Sequence, residues 1–380
     1  MNQSSSQSLT IFDYHDRHQG ERAFIIGNGP SLTDLDLPKL ADEYTFGVNS
    51  IYYLFDEMGF KPSFYVVEDT LVAEDRADDI NQLSGMPKFF GTYLDYCLDD
   101  GPEVFWTNVI FDYSEYPGFP HFSRRADQCL WVGGTVSYLC MQLAYFMGFS
   151  EVYLIGFDHS YDIPEDAQID GTVITSASDD PNHFHPEYFG KGKRWHDPRL
   201  DRMELAYHKA QQVYTQDHRA IYNATQGGEL EIFPRIAYDS IFETTKDRNV
   251  SPGVDLTSPE PDSQEQDIHI SAVVCTYENQ SSLVNTLESL LLQSLPPDQY
   301  EVVIVDNNSG DQTAAVAACY PQFRYVLEKE VGLSHARNRG IREARGDIVA
   351  FIDDDAEADP DWLKSLLDIY DRNPNAWAVG

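Results

Sequence analysis

Three consecutive aspartates, Asp353-Asp354-Asp355, close the apolar run Phe351-Ile352, some eighty residues beyond another apolar run, Ile270-Ser-Ala-Val-Val-Cys-Thr-Tyr277. A buried strand that ends in Asp-x-Asp sets two carboxylates at the carboxyl edge of a sheet, where open α/β sheets bind ligands. One carboxylate can hold a divalent cation while its neighbour touches a ribose, and the cation neutralises a diphosphate leaving group. That chemistry suits transfer of a sugar from a nucleoside diphosphate. Asp306 ends an intervening strand before Asn307-Asn308-Ser309-Gly310, where a carboxylate can accept a hydrogen bond from a uracil or a ribose hydroxyl. Arg337 and Arg339, in Gly332-Leu-Ser-His-Ala-Arg-Asn-Arg-Gly340, can offset diphosphate charge as their helix begins. Between Ser334 and Ala336, His335 reads as structural.

The N-terminal part offers a different chemistry. Gly27-Asn28-Gly29-Pro30-Ser31 follows the apolar run Ala23-Phe-Ile-Ile26. Glycines there permit positive φ and close backbone approach, and a following helix start offers free N–H groups to a phosphate. Many α/β turns are glycine-rich for packing alone, but Asn49 after the next strand, the Gly133-Gly134-Thr135 helix start and Gly156-Phe157-Asp158 should all sit along the same edge. The loop from His183 to His196 holds three histidines (His183, His185, His196) and three cations (Lys191, Lys193, Arg194) in a very acidic chain. It is expected to be an anion-binding lid over a nucleotide, with Tyr188 and the cations on phosphates and His185 or His196 as base. The alternative is a surface loop whose cations pair with nearby acids. A zinc site from the three histidines lacks any supporting cysteine or helical spacing.

Strands alternate with helices throughout, which implies parallel sheets in Rossmann-like layers. In the N-terminal part the strands are expected at 23–27, 45–49, 63–67 and 151–156, with helices from Gly134 through Phe146 and from Arg199 to Gln216. Tyr138, Tyr145 and Phe149 read as core. In the C-terminal part, strands at 270–275, 301–305, 323–327 and 347–352 enclose helices at 281–294, 311–319 and from Gly332 toward Ala344. Residues 247–266, rich in Pro, Ser and acid, read as a linker. The chain thus divides into a disordered tail (1–17), an α/β domain (18–246), the linker and a second α/β segment (267–380).

The formal net charge of -37 and pI near 4.4 argue against nucleic acid or an anionic membrane as a general partner. Five cysteines without paired spacing point to a reducing cytosol. No apolar run reaches the length of a membrane span and the first residues lack signal-peptide features, so a cytoplasmic location without a transmembrane segment is expected.

Residues 268–380 resemble the family-2 glycosyltransferases of GT-A fold through Thr276-Tyr277-Glu278, Asp306, the Gly332–Gly340 stretch and Asp353-Asp354-Asp355, in family order. The fold class is then α/β, with two Rossmann-like parallel-sheet modules, the second being the nucleotide-binding half of a GT-A fold. The resemblance implies nucleotide contacts from Thr276, Glu278, Asp306 and Arg337. It implies a ribose or donor-sugar contact from Asp353, and Mg²⁺ or Mn²⁺ held by Asp353 and Asp355, with Asp354 as spacer. It also implies a nucleotide-sugar donor and a glycan or lipid-linked acceptor. Glu278 stands where many members carry Asn or another polar residue. The family's base and acceptor half are expected downstream of Gly380.

The N-terminal domain resembles the family that includes archaeal 6-hydroxymethylpterin pyrophosphokinases, through Phe46-Gly-Val-Asn-Ser50 and Tyr65-Val-Val-Glu-Asp-Thr-Leu-Val-Ala-Glu-Asp-Arg76. It is similar as well to bacterial family-42 sialyltransferases, through Ile26-Gly-Asn-Gly-Pro-Ser-Leu32 and Asn49. These resemblances imply nucleotide contacts from Gly27, Asn28, Gly29, Ser31, Asn49, Glu68, Gly134, Thr135 and Tyr188. In the sialyltransferases a Tyr-x-Gly-His segment supplies the base; here Tyr188-Phe-Gly-Lys191 puts Lys191 at that position, and a lysine is almost wholly protonated at pH 7. Glu68 also replaces a nucleotide-contacting Asn, and both departures argue against sialyl transfer. The expected function is a glycosyltransferase of surface-polysaccharide or glycan assembly. The alternatives make the N-terminal domain an ATP-dependent diphosphokinase, with Glu68 and Asp69 holding the metal, or a non-catalytic glycan-binding module.

Overall fold

Short apolar runs such as Arg22–Ile26, Tyr44–Val48 and Phe64–Val67 are buried almost throughout, as expected of strands covered on both faces of a parallel sheet. The computed structural model describes residues 9–113, 119–164, 166–243, 268–320, 322–373 and 376–379. The chain forms two units, Met1–Asn249 and Val250–Gly380. The proposed linker at 247–266 and residues 1–8 of the expected tail lie outside the described residues.

In the first unit seven strands lie in the order 220–223, 151–155, 22–26, 44–48, 64–67, 88–91, 104–107, and every pair is parallel. The period-2 alternation of side chains sends Ile25, Phe46 and Phe64 to one face, where helices Val136–Phe146 and Leu200–Gln216 pack. Phe24, Ile26, Tyr65 and Phe90 go to the other. Every residue of Val136–Phe146 is buried, including Tyr138 and Tyr145, and Phe149 just beyond it is fully enclosed. Gln142 is polar in that core and satisfied: its Oε1 accepts from the Ser123 and Trp131 amides, and its Nε2 donates to the Trp131 and Tyr138 carbonyls. Arg22–Ile26, the first strand, lies between Tyr44–Val48 and Glu151–Ile155, so the strand order runs outward from it in both directions and reverses beside it. Open α/β sheets bind ligands at such a switch point.

The tail expectation needs correction for residues 9–17. Ile11–Tyr14 forms a 3₁₀ turn, and the buried Tyr14 ring stands edge-on to Phe64, Phe89 and Phe105 at centroid distances of 6.0, 5.6 and 5.2 Å. The polar first residues hide an aromatic anchor whose partners lie fifty to ninety residues away, so local composition carries no sign of it.

In the second unit four parallel strands lie in the order 324–327, 300–306, 270–276, 348–353. Helix Gln280–Leu291 buries Leu283, Val284, Leu287 and Leu290, while helix Leu333–Glu343 lays Ala336 and Gly340 on the sheet. A Cβ at Gly340 would run into Val273, so glycine sets how closely that helix approaches.

Tyr14→Ala is expected to cost the first unit about 3 kcal/mol, the lower end for truncating a buried aromatic. Urea unfolding followed by far-UV circular dichroism would check it, and an unchanged midpoint would return this turn to a loose tail.

Candidate functional site

The N-terminal cleft lies at the switch point, and its walls are loops that leave the carboxyl ends of strands. Gly27-Asn28-Gly29 follows Arg22–Ile26, Asn49 follows Tyr44–Val48, Glu68-Asp69 follows Phe64–Val67, and Gly156–Tyr161 follows Glu151–Ile155. Gly134, Thr135, His183, Tyr188 and His196 complete a solvent-open cleft.

Glycine serves here differently from the expected cradle. Gly29 has φ -68, and neither it nor Gly27 lies in the left-handed region. Both are required by close approach: the Gly29 amide donates to the Gly156 carbonyl at 2.9 Å, and a Cβ at Gly27 would collide with that carbonyl. The helix that follows is a single 3₁₀ turn, Pro30–Asp34, so it offers no sustained dipole. Ser31 is committed as well, its hydroxyl donating to Asp158 Oδ2 at 2.8 Å. Positive φ occurs instead at Gly134 (+75), Gly156 (+70) and Asn49 (+49).

Two polar atoms in this wall, the buried Oδ1 atoms of Asn28 and Asn49, lack a partner among the described residues. Buried amide oxygens left unpaired are costly, so they mark where a ligand's donors fit. Tyr188 is buried and stacks on His183 at 4.1 Å, with its hydroxyl engaged by Asn49 and Ser50.

Two carboxylate–histidine pairs face this space. His183 Nδ1 lies 2.7 Å from Asp180 Oδ2. Burial opposes ionisation of Asp180, but the hydrogen bonds from His183 and from the Asn182 and Phe189 amides outweigh it and hold the carboxyl below its usual range. His196 Nδ1 lies 3.0 Å from Asp69 Oδ2, and that bond raises the imidazole pKa against the effect of burial. Burial pushes the neighbouring Glu68 carboxyl up to about 7, and the Asp69 charge adds to the shift. Asp180 and His183 sit three residues apart, a spacing visible in sequence but absent from the expected site. Asp69 and His196 are 127 residues apart and only the fold joins them.

Of the three candidate catalytic residues, His196 lines the cleft. His185 does not: it stacks on Tyr53 at 4.6 Å and its Nδ1 accepts from the Glu187 amide. Lys191 is exposed and outside the lining. The expected cationic lid is also corrected. Arg194 pairs with Glu74 and Asp75, Lys193 donates to the Asp75 carbonyl, and buried Arg76 holds the Glu187 and Tyr188 carbonyls, so acids and carbonyls near helix Thr70–Asp75 pin the loop. Asp69 does not fit a metal-ligand role, because one oxygen caps that helix through the Leu71 and Val72 amides and the other meets His196.

In the second unit, register sets Thr276 opposite Asp306 and Cys275 opposite Asp353, so the motif residues end on one sheet edge. A cavity there is lined by Thr276, Glu278, Asn307, Gly332, Leu333 and Asp354 among others. Thr276 Oγ1 is buried and has no partner among the described residues. Asp306 is occupied differently from expectation: Oδ1 accepts from the Ser309 amide at 2.8 Å and Oδ2 from the Tyr325 hydroxyl at 2.7 Å, and it does not line the cavity. Glu278 adopts positive φ (+49), with its amide on Ser309 Oγ. Arg337 lies 3.7 Å from Asp353, whose side chain is 76% exposed, whereas Arg339 is paired with Glu343. His335 pairs with Glu330. Asp353 and Asp355 are exposed and outside the cavity lining, while Asp354, expected as spacer, is in it.

Residues 271–380 match the glycosyl transferase family 2 model, and residues 2–164 match that of the 6-hydroxymethylpterin diphosphokinase MptE-like proteins. The chain carries a domain of each family. A glucosyl-dolichyl phosphate glucuronosyltransferase from Haloferax volcanii is 40% identical over 123 residues, 29% of this chain and 37% of that protein. The putative glycosyltransferase EpsH from Bacillus subtilis is 33% identical over 102 residues, 26% of this chain and 29% of its own. Among solved structures, a mannosyltransferase from Pyrobaculum calidifontis in complex with GDP-Man and Mn²⁺ is 28% identical, covering 33% of this chain and 38% of that one, with a TM-score of 0.26. The chain spans between 23% and 37% of the length of curated relatives such as these.

Folded Glu68 binds its proton more tightly than unfolded Glu68, so its contribution to stability falls as pH rises from 4.5 toward 7. Glu68→Gln removes that slope. The variant is expected to be more stable than the parent by about 1–2 kcal/mol at pH 8, after allowance for partial exposure, with the gap shrinking toward pH 5. Urea midpoints at the two pH values check this, and a pH-independent gap would contradict it.

Proposed function

We propose that this protein transfers a sugar from a nucleoside-diphosphate donor in the assembly of a surface polysaccharide or other glycan, using the C-terminal edge to hold the donor. The observation that carries this reading is the register, which brings Thr276, Asp306 and Asp353 to one sheet edge within the family-2 segment. The relative from Haloferax volcanii, named for a dolichyl phosphate-linked sugar, supports a lipid-linked acceptor.

Among the described residues no group of three or more His, Cys, Asp or Glu is arranged to hold a metal. Asp353 and Asp355 nevertheless fit a cation that arrives with its donor, since Mg²⁺ takes one or two carboxylates and completes its shell with phosphate oxygens and water. When bound, such a cation neutralises charge on the diphosphate. Arg337, beside Asp353, would share that task. Thr276 Oγ1, buried and unpaired, would meet the nucleotide.

For the N-terminal cleft we propose a separate nucleotide site, supported by the unpaired Asn28 and Asn49 oxygens. The MptE-like match favours diphosphate transfer there over a second sugar transfer.

Replacing both Asp353 and Asp355 by Asn should weaken Mn²⁺-dependent binding of UDP or GDP to the full chain by about tenfold or more and leave metal-free binding unchanged. Calorimetric titration with CMP, UDP, GDP and ATP, each with and without Mn²⁺, checks this. Unaltered Mn²⁺-dependent affinity in the double variant would remove the carboxylates from the donor site. ATP binding that survives in the double variant would support the second site.

A further inference from the structure

A second space adjoins the N-terminal cleft. It shares Glu68, Asp69, Gly134, His196 and Asp197 with the first and adds Thr70, Phe111, Tyr113, Thr172, Arg199 and Arg202. Gly134 stands between the two: the Tyr113 hydroxyl bonds its backbone, and the Arg202 Cβ lies 3.5 Å from where its own Cβ would be. The two spaces therefore meet at Glu68, Gly134 and the Asp69–His196 pair.

The cations in the second space differ in their commitments. Arg199 forms a two-point pair with Asp201, at 2.9 and 2.5 Å. His196 is held by Asp69. Arg202 has no carboxylate partner among the described residues; its guanidinium lies over the Tyr113 ring, 4.4 Å from the centroid. In a chain of net charge -37, a half-buried guanidinium without an acid is conspicuous. Stacking occupies the face of the group and leaves its N–H edge, the edge that grips carboxylates and phosphates in two-point fashion. Of the acids close by, Asp69 is engaged by the helix cap and His196, and burial raises the Glu68 carboxyl above its usual range. Asp197, the third acid of the lining, is exposed.

We propose that this second space is an acceptor subsite, which takes a small substrate by its carboxylate or phosphate on Arg202, between Phe111 and Tyr113, and brings the rest of it to the junction at Glu68. It rests on the nucleotide reading of the adjoining cleft. The anion on Arg202 belongs to the second substrate, so both compartments fill at once.

The test uses the full chain in EDTA, with inorganic pyrophosphate as the anion probe and ATP and CMP as nucleotides, followed by calorimetry. Pyrophosphate is expected to bind the parent chain and to bind about as well when nucleotide is saturating. Arg202→Gln should weaken it about tenfold or more, Arg202→Lys should recover part of that, and Asn49→Ala should weaken nucleotide alone. No pyrophosphate binding by the parent, or unchanged affinity in Arg202→Gln, would overturn the proposal. So would competition between nucleotide and pyrophosphate, which would assign Arg202 to the nucleotide's own phosphates. Failure of the nucleotide reading is distinguishable: neither nucleotide binds while pyrophosphate still depends on Arg202. Should Arg202→Gln fail to fold, the competition measured on the parent chain decides the matter.

Discussion

The close approach of two backbone turns, Gly27–Gly29 against Gly156–Asp158, is the constraint on which the N-terminal unit depends. Adjacent parallel strands run 4.7–4.9 Å apart, and where two of them end together their loops must cross or diverge. Here they touch, through the Gly29 amide on the Gly156 carbonyl and Ser31 on Asp158. Asn28, between the two glycines, lines the cleft with a buried oxygen that has no partner among the described residues. The other walls follow from strand order, since Asn49 and Glu68 end the next two strands of the same parallel sheet.

Acidity has a second consequence. In so negative a chain most cations are bound to acids or carbonyls, as Arg194, Lys193 and Arg199 are. A loop dense in cations is then a structural clasp, and Arg202 is informative as a guanidinium with no acid partner among the described residues. The same economy governs the histidines: His183 and His196 each have one ring nitrogen held by a carboxylate.

Four of the seven strands in the first sheet and all four in the second were legible because their apolar runs are local properties, and the expected helices end within a few residues of expectation. The strands Lys88–Gly91, Val104–Thr107 and Ala220–Asn223 were not read from sequence. The parallel register that joins Thr276, Asp306 and Asp353 follows from strands ending at those residues. What sequence concealed depends on distance in the chain. Tyr14 reads as part of a polar tail until Phe64, Phe89 and Phe105 surround it. The Gly-Asn-Gly turn reads as a phosphate cradle, but its glycines answer to a strand more than a hundred residues later. His185 and Lys191 share a loop with His183 and His196, yet the loop's pinning sends them away from the cleft. Asp306 looks free for a nucleotide until Tyr325 and Ser309 take both oxygens.

The central claim is that each unit holds its own nucleotide at the carboxyl edge of its sheet. Hydrogen exchange on the full chain, with UDP or GDP plus Mn²⁺ and separately with ATP or CMP, tests it most directly. The account predicts that a nucleoside diphosphate with Mn²⁺ protects peptides spanning 276–279 and 353–355, and that ATP or CMP protects those containing Gly27–Gly29, Asn49 and Gly134-Thr135. Protection confined to one unit under every condition, or none at the 353–355 edge with any diphosphate, would contradict it.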